Sequence, residues 1–430
     1  MELSVIVLVV SFVVLLAVGL PIAYGIGIST ILTMLFTIAP GPAVTTVAQR
    51  MATGIDSFAL LAIPFFILSG QLMGRGGIAR RLIDFAKVLV GMFPGGLAYV
   101  NTLACMFFGS ISGSAVAATS AIGSFMIPTM EKEGYDKTFS TAVTVTGSTT
   151  GLLIPPSNVL IVYSLASGGV SIAALFVAGY LPGILVGLAL MSVSAVIALR
   201  RKYPVGQRET LKAGLKKFLD AIPSLLLVII VIGGIIAGIF TATEASAIAV
   251  IYSLVLTLIY REVKIKDLPD ILIKTVETTA IVMLLIGTSS AMSWILSYEN
   301  IPQNISQALI AVTHSKIIIL LIINLILLAV GTFMDMTPAV LIFTPIFLPV
   351  VTQLGITPLQ FGIVMVLNLS IGLTTPPVGS VLFVGCGIGK VSIPQLSKAL
   401  LPFYAVMILA LLLVTYIPWI SLVLPRMFGL

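Results

Sequence analysis

Two short runs of this sequence carry the residue types that hold a bare cation. Thr144–Ser157, with Asn158 just after it, and Asn368–Ser380 are both rich in Ser and Thr, and each is interrupted by a Pro-Pro pair. A proline inside a helix has no N–H of its own and blocks the carbonyl four residues back. Pro155 and Pro156 are therefore expected to free the carbonyls of Gly151 and Leu152, and Pro376 and Pro377 those of Gly372 and Leu373. Neutral carbonyl and hydroxyl oxygens are hard ligands, and they suffice for sodium, which needs less charge from its ligands than calcium or magnesium. Ser148 and Thr149 in the first run, and Ser370 and Ser380 in the second, add hydroxyls. Just upstream lie Gly109–Ser114 and Gly331–Asp335, whose glycines let backbone approach backbone closely. A first sodium site is expected at Ser110, Ser112, Gly151, Pro155, Ser157 and Asn158, and a second at Gly331, Asp335, Gly372, Thr374, Thr375 and Gly379. Candidate substrate contacts are Ser114, Thr150, Thr375 and Pro377.

Other reactive residues read more plainly. Asp335 is the only carboxylate near the second run, and an acid at membrane depth is a functional candidate by default, although it could also bond backbone at a turn. Glu244, following Thr241 and Thr243, suits the first turn of a helix. Arg75, Arg80 and Arg81 read as headgroup and orientation anchors rather than substrate clamps. His314 is the only histidine, and Cys105 and Cys386 lie in apolar segments at a spacing that suits no metal motif. There is no His-Glu-x-x-His helix, and Gly385–Lys390 fails the phosphate-loop pattern. An enzyme is not expected, nor is a cofactor beyond a coupling ion. With no nucleotide-binding motif, energy must come from an ion gradient or another chain. A membrane potential of 100 mV is worth about 2.3 kcal/mol per net charge, or roughly a 50-fold gradient.

The elements that must position these residues lie in a bilayer. The chain is 59% hydrophobic and 9% charged, against about 25% charged for soluble domains, and its mean hydropathy is +1.21. Apolar runs such as 3–19, 224–239, 317–330 and 405–424 suit a hydrocarbon core of roughly 30 Å, and about twelve spanning segments are expected if reentrant pieces count separately. The first run lacks a basic leader and a small-residue cleavage site, so it is expected to remain as a helix. The net charge of +7 does not imply nucleic acid, because the cations cluster in short loops: Arg75–Lys87, Arg200–Lys217 (with Arg208 among them) and Arg261–Lys266. The positive-inside rule puts all three clusters in the cytoplasm.

The sequence also repeats itself. Ile127–Leu160 aligns without gaps with Leu348–Val381, pairing Gly151 with Gly372, Pro155 with Pro376 and Pro156 with Pro377. With a one-residue slip, Gly109-Ser110 falls beside Gly331-Thr332. Kinks and small residues are ordinary packing devices in membrane helices, but the same break in register in two halves favours function. The halves are residues 1–208 and 209–430. Each is expected to hold scaffold helices, a reentrant hairpin (about 107–134 and 329–355) and a broken helix (about 137–165 and 357–388). The turn Glu131–Lys137 carries Lys132 and Lys137, whereas its counterpart Gln353–Gln360 has no charge, which favours inverted repeats. The expected fold is all-α and polytopic, with two inverted repeats, reentrant hairpins and discontinuous helices.

Taken together, these segments resemble the large membrane subunit, DctM type, of tripartite ATP-independent periplasmic (TRAP) transporters. The resemblance runs through Gly19–Ala23, Pro64–Gly70, Phe108–Ser114, Gly151–Ser157, Gly238–Ala245 and Thr374–Gly379, with Ala242 where proline is usual. It implies an elevator-type carrier, multi-pass in a bacterial inner membrane, that imports a C4-dicarboxylate, sialic acid or other sugar acid with sodium. It also implies a small four-helix membrane subunit and a periplasmic substrate-binding protein as partners, besides membrane lipids. Because Met1 almost opens the first helix, a fused small subunit is not expected. The alternative is a stand-alone divalent-anion/sodium symporter of the same architecture.

Overall fold

The computed structural model describes residues 3–75, 77–206, 211–313 and 315–430. Arg208, the 208/209 boundary between the halves and His314 lie outside the described residues. Among these residues the secondary structure is helical, save one isolated bridge between Pro94 and Val205. In the first half come α1 (Leu3–Ala17), α2 (Ile22–Thr37), α3 (Pro40–Ile55), α4 (Ala62–Arg75) and α5 (Ile78–Val90). A hairpin of α6 (Gly96–Ser112) and α7 (Ala115–Lys132) follows, then α8 (Lys137–Thr149), α9 (Asn158–Ala166) and α10 (Ile172–Arg201). The second half opens with α11 (Leu211–Ile236), α12 (Ala242–Ile259), α13 (Leu268–Tyr298) and α14 (Ile301–Val312). Its hairpin is α15 (Lys316–Phe333) and α16 (Met336–Gln353), followed by α17 (Pro358–Gly372), α18 (Ser380–Gly389), α19 (Ile393–Tyr416) and α20 (Pro418–Met427).

The helices obey bilayer chemistry. Among the described residues eight helical segments are long and apolar enough to cross a membrane, and five shorter apolar helices accompany them. Val9, Val10, Val13 and Val14 of α1 and Ile229 of α11 present bare hydrocarbon outward, as lipid-facing residues do. The chain is a multi-pass membrane protein. α5 is different: Ile78, Leu82, Phe85 and Ala86 are buried on one side while Arg80 is exposed, the i, i+4, i+7 pattern of a helix lying between two solvents. Glu244 does close a capping box at the start of α12, its carboxylate accepting the Thr241 N–H at 2.8 Å.

Both hairpins begin earlier than the sequence suggested. The glycine-rich stretch near 109–114 is the end of the first arm and its apex, not the opening: Gly113 takes φ +62° at the C-cap of α6, and Ser114 caps α7 by accepting the Ala117 N–H. The first arm therefore starts at Gly96 rather than near 107, and that of the second hairpin at Lys316 rather than near 329. Further interruptions separate α8 from α9 and α17 from α18.

The two halves interlock reciprocally. α7 packs on α18 of the other half, and α16 packs on α9; α8 likewise meets α18, and α17 meets α9. Within each half the first hairpin arm crosses the broken helix at a pair of glycines. A β-carbon on Gly151 would lie 2.3 Å from the Gly109 Cα, and one on Gly372 would lie 2.5 Å from the Gly331 Cα. These are the residues that the internal alignment pairs, so the repeat is one of geometry as well as of sequence. Buried side-chain bonds strengthen each crossing. Asn101 donates to Thr144 at 2.7 Å in the first half; Asn368 donates to Asn324 at 2.9 Å, and Asn324 to Thr415 at 3.1 Å, in the second. Asn324→Leu should remove the side-chain links to Asn368 and Thr415, leaving Asn368 its bond to the carbonyl of residue 324, and cost about 1 kcal/mol, the scale of interhelical bonds in membranes. A thermal melt in detergent checks this, and an unchanged midpoint would show that the chain contributes nothing.

Candidate functional site

Both hairpin apices and both helix breaks border one cavity of about 650 Å3. Ser112, Gly113 and Ser114 come from the first apex and Asp335, Met336 and Thr337 from the second. Leu152 and Asn158 come from the first break, and Leu373 and Ser380 from the second. The opposite wall is α4, through Ile67, Gly70, Gln71 and Arg75, with Thr278 and Val282 of α13. Neither half alone builds this space.

At the first break, most of the polar backbone looks after itself. The Ser157 hydroxyl donates to the Leu152 carbonyl at 2.6 Å, so that carbonyl, expected free, is bridged from within the break. Ser110 donates to Phe107 O at 2.8 Å and Thr150 to Gly147 O at 2.6 Å. What remains unpartnered is Asn158: its Oδ1 is buried and accepts no hydrogen bond. A buried amide oxygen without a partner costs free energy unless something else meets it. Gly113 lies against the same spot, for a β-carbon there would come 3.3 Å from Asn158 Nδ2 and 3.4 Å from the Pro156 carbonyl oxygen. Apex and break thus meet closely at this glycine, with the side-chain and backbone nitrogens of Asn158 and one carbonyl oxygen around it. Pro155 is buried in the same turn, and Gly151 is held against Gly109.

The second break is built alike but carries a charge. The Gly372 carbonyl accepts the Thr375 N–H at 2.9 Å and the Leu373 carbonyl the Val381 N–H at 3.1 Å, so these carbonyls too are engaged rather than free. A carbonyl has two lone pairs, and one bond leaves the other available. The carbonyl oxygens of Leu373 and Thr375 converge on Gly379, 2.9 and 2.8 Å from where its β-carbon would stand. Val378 N–H ties the break to Thr332 O at 3.1 Å. Asp335, crowded by protein yet open to the cavity, accepts from Ser380 Oγ at 3.5 Å. The Thr374 hydroxyl donates to Ile371 O, and Tyr404 donates to the Thr374 carbonyl.

The candidate substrate contacts separate. Ser114 faces the cavity, whereas Thr150, Thr375 and Pro377 are not among the residues that line it. Thr150 is buried in the turn that follows α8, the Thr375 hydroxyl is taken by Ile371 O at 2.9 Å, and Pro377 is exposed elsewhere. Sequence reading passed over the α4 wall. Gly70 abuts the first apex, where a β-carbon would lie 3.1 Å from Ser112 O, and Arg75 lines the cavity instead of serving only as an anchor. The Gly70-x-x-x-Gly74 spacing, which puts two small residues on one face ahead of Arg75, was the signal available.

The profile of the DctM component of the tripartite ATP-independent periplasmic transporters matches residues 9–420. An uncharacterized protein, YgiK of Salmonella typhimurium, is 56% identical over 99% of this chain and 98% of its own. The C4-dicarboxylate TRAP transporter large permease protein DctM of Rhodobacter capsulatus is 38% identical over 97% of each chain. In fold the chain is similar to the crystal structure of the Alcanivorax borkumensis YdaH transporter, with a TM-score of 0.64 over 89% of this chain and 88% of that one, at 14% identity. That likeness concerns the fold alone.

Proposed function

Because this chain belongs to the DctM family of tripartite ATP-independent periplasmic transporters, we propose that it imports an organic anion together with sodium across the bacterial inner membrane. The observation that carries this reading is the single cavity between two hairpin apices and two helix breaks, with the orphaned Asn158 oxygen on one side and Asp335 on the other. Half-helix ends and unwound backbone at the midplane are how transporters hold coupling ions and substrates together. In our reading one sodium sits by Gly113 and Asn158 and another by Asp335, Gly379 and Ser380, and the anion lies between them. The anion belongs to the C4-dicarboxylate, sialic acid and sugar-acid class. A small membrane subunit and a periplasmic binding protein complete the machine, and an elevator movement of the hairpins and broken helices against α4 and α13 carries the load.

Inverted repeats follow if the hairpins are reentrant. Each half then crosses five times: α1, α2, α4, the broken helix and α10 in the first, and α11, α12, α13, the broken helix and α19 in the second. Five is odd, so the halves enter from opposite sides. This threading puts Arg75, Arg80, Arg81, Lys87, Arg200, Arg201, Lys202, Lys212, Lys216, Arg261, Lys264, Lys266, Lys390 and Lys398 on one face, as the positive-inside rule asks of the cytoplasm. The cavity, reaching Arg75, then opens inward.

The test is uptake into proteoliposomes holding this chain and its small subunit, with binding proteins loaded with different acids, with and without sodium. Uptake is expected only with sodium and a loaded binding protein. Indifference to sodium would remove the ion sites, and transport by this chain alone would favour the stand-alone symporter.

A further inference from the structure

We propose that Arg75, Asp270 and Lys274 form an anion-release site at the mouth of the cavity, where Asp270 stands in for the departing carboxylate and displaces it. The inference rests on the carrier reading above and deepens it. Arg75 is the one cationic side chain among the described residues lining the cavity. It donates to Asp270 Oδ2, and Lys274 Nζ lies 3.7 Å from the same oxygen. One carboxylate oxygen shared by a guanidinium and an ammonium is the arrangement that a substrate carboxylate would adopt in its place, and the arginine fork has donors left for a second oxygen.

Position supports this role. Asp270, Lys274, Thr278 and Val282 follow one another at i, i+4 along a single face of α13, and the last two line the cavity. The stripe therefore leads from the hairpin apices out to the triad, while Gln71 and Arg75 mark the same path on α4. The side chains of Arg75 and Asp270 remain 32% and 54% exposed, so their ion pair is a weak one that an incoming anion can exchange with. Arg81 makes a useful contrast. It pairs with Glu262 at 2.7 Å and lies 3.7 Å over the Tyr260 ring, away from the cavity, as a packing residue would. The triad carries one net positive charge. Without Asp270 it would hold the anion back, and without Arg75 it would not draw the anion out.

The experiment measures the luminal concentration of acid that half-inhibits uptake in right-side-out proteoliposomes of the two membrane subunits. The probe is whichever of succinate, N-acetylneuraminate and gluconate the wild type takes up. Asp270→Asn is expected to lower that concentration about fivefold and Arg75→Gln to raise it about fivefold, with Arg75→Lys, which keeps the charge but loses the fork, falling between wild type and Arg75→Gln. The opposite signs are decisive, because a merely structural ion pair would make both variants err in the same direction. Shifts of the same sign, or none in variants that melt like wild type, would overturn the proposal. Absence of uptake, or uptake without sodium, in the wild type would instead overturn the carrier reading beneath it.

Discussion

Asn158→Ala raises the sodium concentration that half-saturates uptake by about tenfold while leaving the fold intact. The residue sits in the first turn of α9, and its buried Oδ1 has no partner within the protein. Removing it therefore breaks no internal bond to that oxygen, and the melting midpoint should hardly move. A cation resting against Gly113 and the Pro156 carbonyl would lose a ligand, and the loss of one such polar contact is worth about 1–3 kcal/mol, for which tenfold is the conservative end. Asp335→Asn should act in the same direction through the second site, because it removes the charge that faces Ser380. Thr375→Ala should act more weakly, since Thr375 is not among the residues that line the cavity. The measurement is the initial rate of uptake against sodium, beside a melt of each variant. An unchanged half-saturation for Asn158→Ala, with protein folded, would remove the first site from where we place it.

Gly151→Ala abolishes transport, and Gly372→Ala does the same from the other half. A β-carbon at Gly151 would stand 2.3 Å from the Gly109 Cα, and one at Gly372 would stand 2.4 Å from the Gly331 carbonyl carbon. Both obstacles are backbone, which cannot swing aside as a long side chain can. The hairpin arm must separate from the broken helix, and overpacking of this kind costs 1–3 kcal/mol in a tight core. The larger consequence is positional. An apex moved by an ångström no longer meets its break, and an ion site made from both loses its geometry. Gly331→Ala should be milder, since its nearest neighbour would be 3.1 Å away, and Gly41→Ala, with nothing within 4 Å, should be silent. Wild-type uptake and melting in Gly151→Ala would refute the account of these crossings.

Those glycines show how far the sequence could be read. Gly109, Gly151, Gly331 and Gly372 stood out through the internal repeat, and the Pro-Pro pairs located the breaks, because a proline interrupts a helix wherever it is buried. The apices were harder. Gly113 and Ser114 were read inside the opening of a hairpin, when they are its turn; a glycine that starts a helix and one that ends it differ in φ, which sequence does not display.

By itself the sequence determined that this chain lives in a bilayer, that it consists of two related halves, and where each half is broken. Hydropathy and repetition record those properties residue by residue. Only the tertiary structure decided which oxygens remain available, that both breaks share one cavity, and that Arg75 lines it. The reason is physical. α8 and α17 are buried on every side, so no alternation of polar and apolar residues marks the face turned toward the cavity. Nor does composition reveal that the Ser157 and Thr375 hydroxyls donate to the carbonyls of Leu152 and Ile371 while the Asn158 amide oxygen accepts nothing, since such partners are set only when the neighbours are in place.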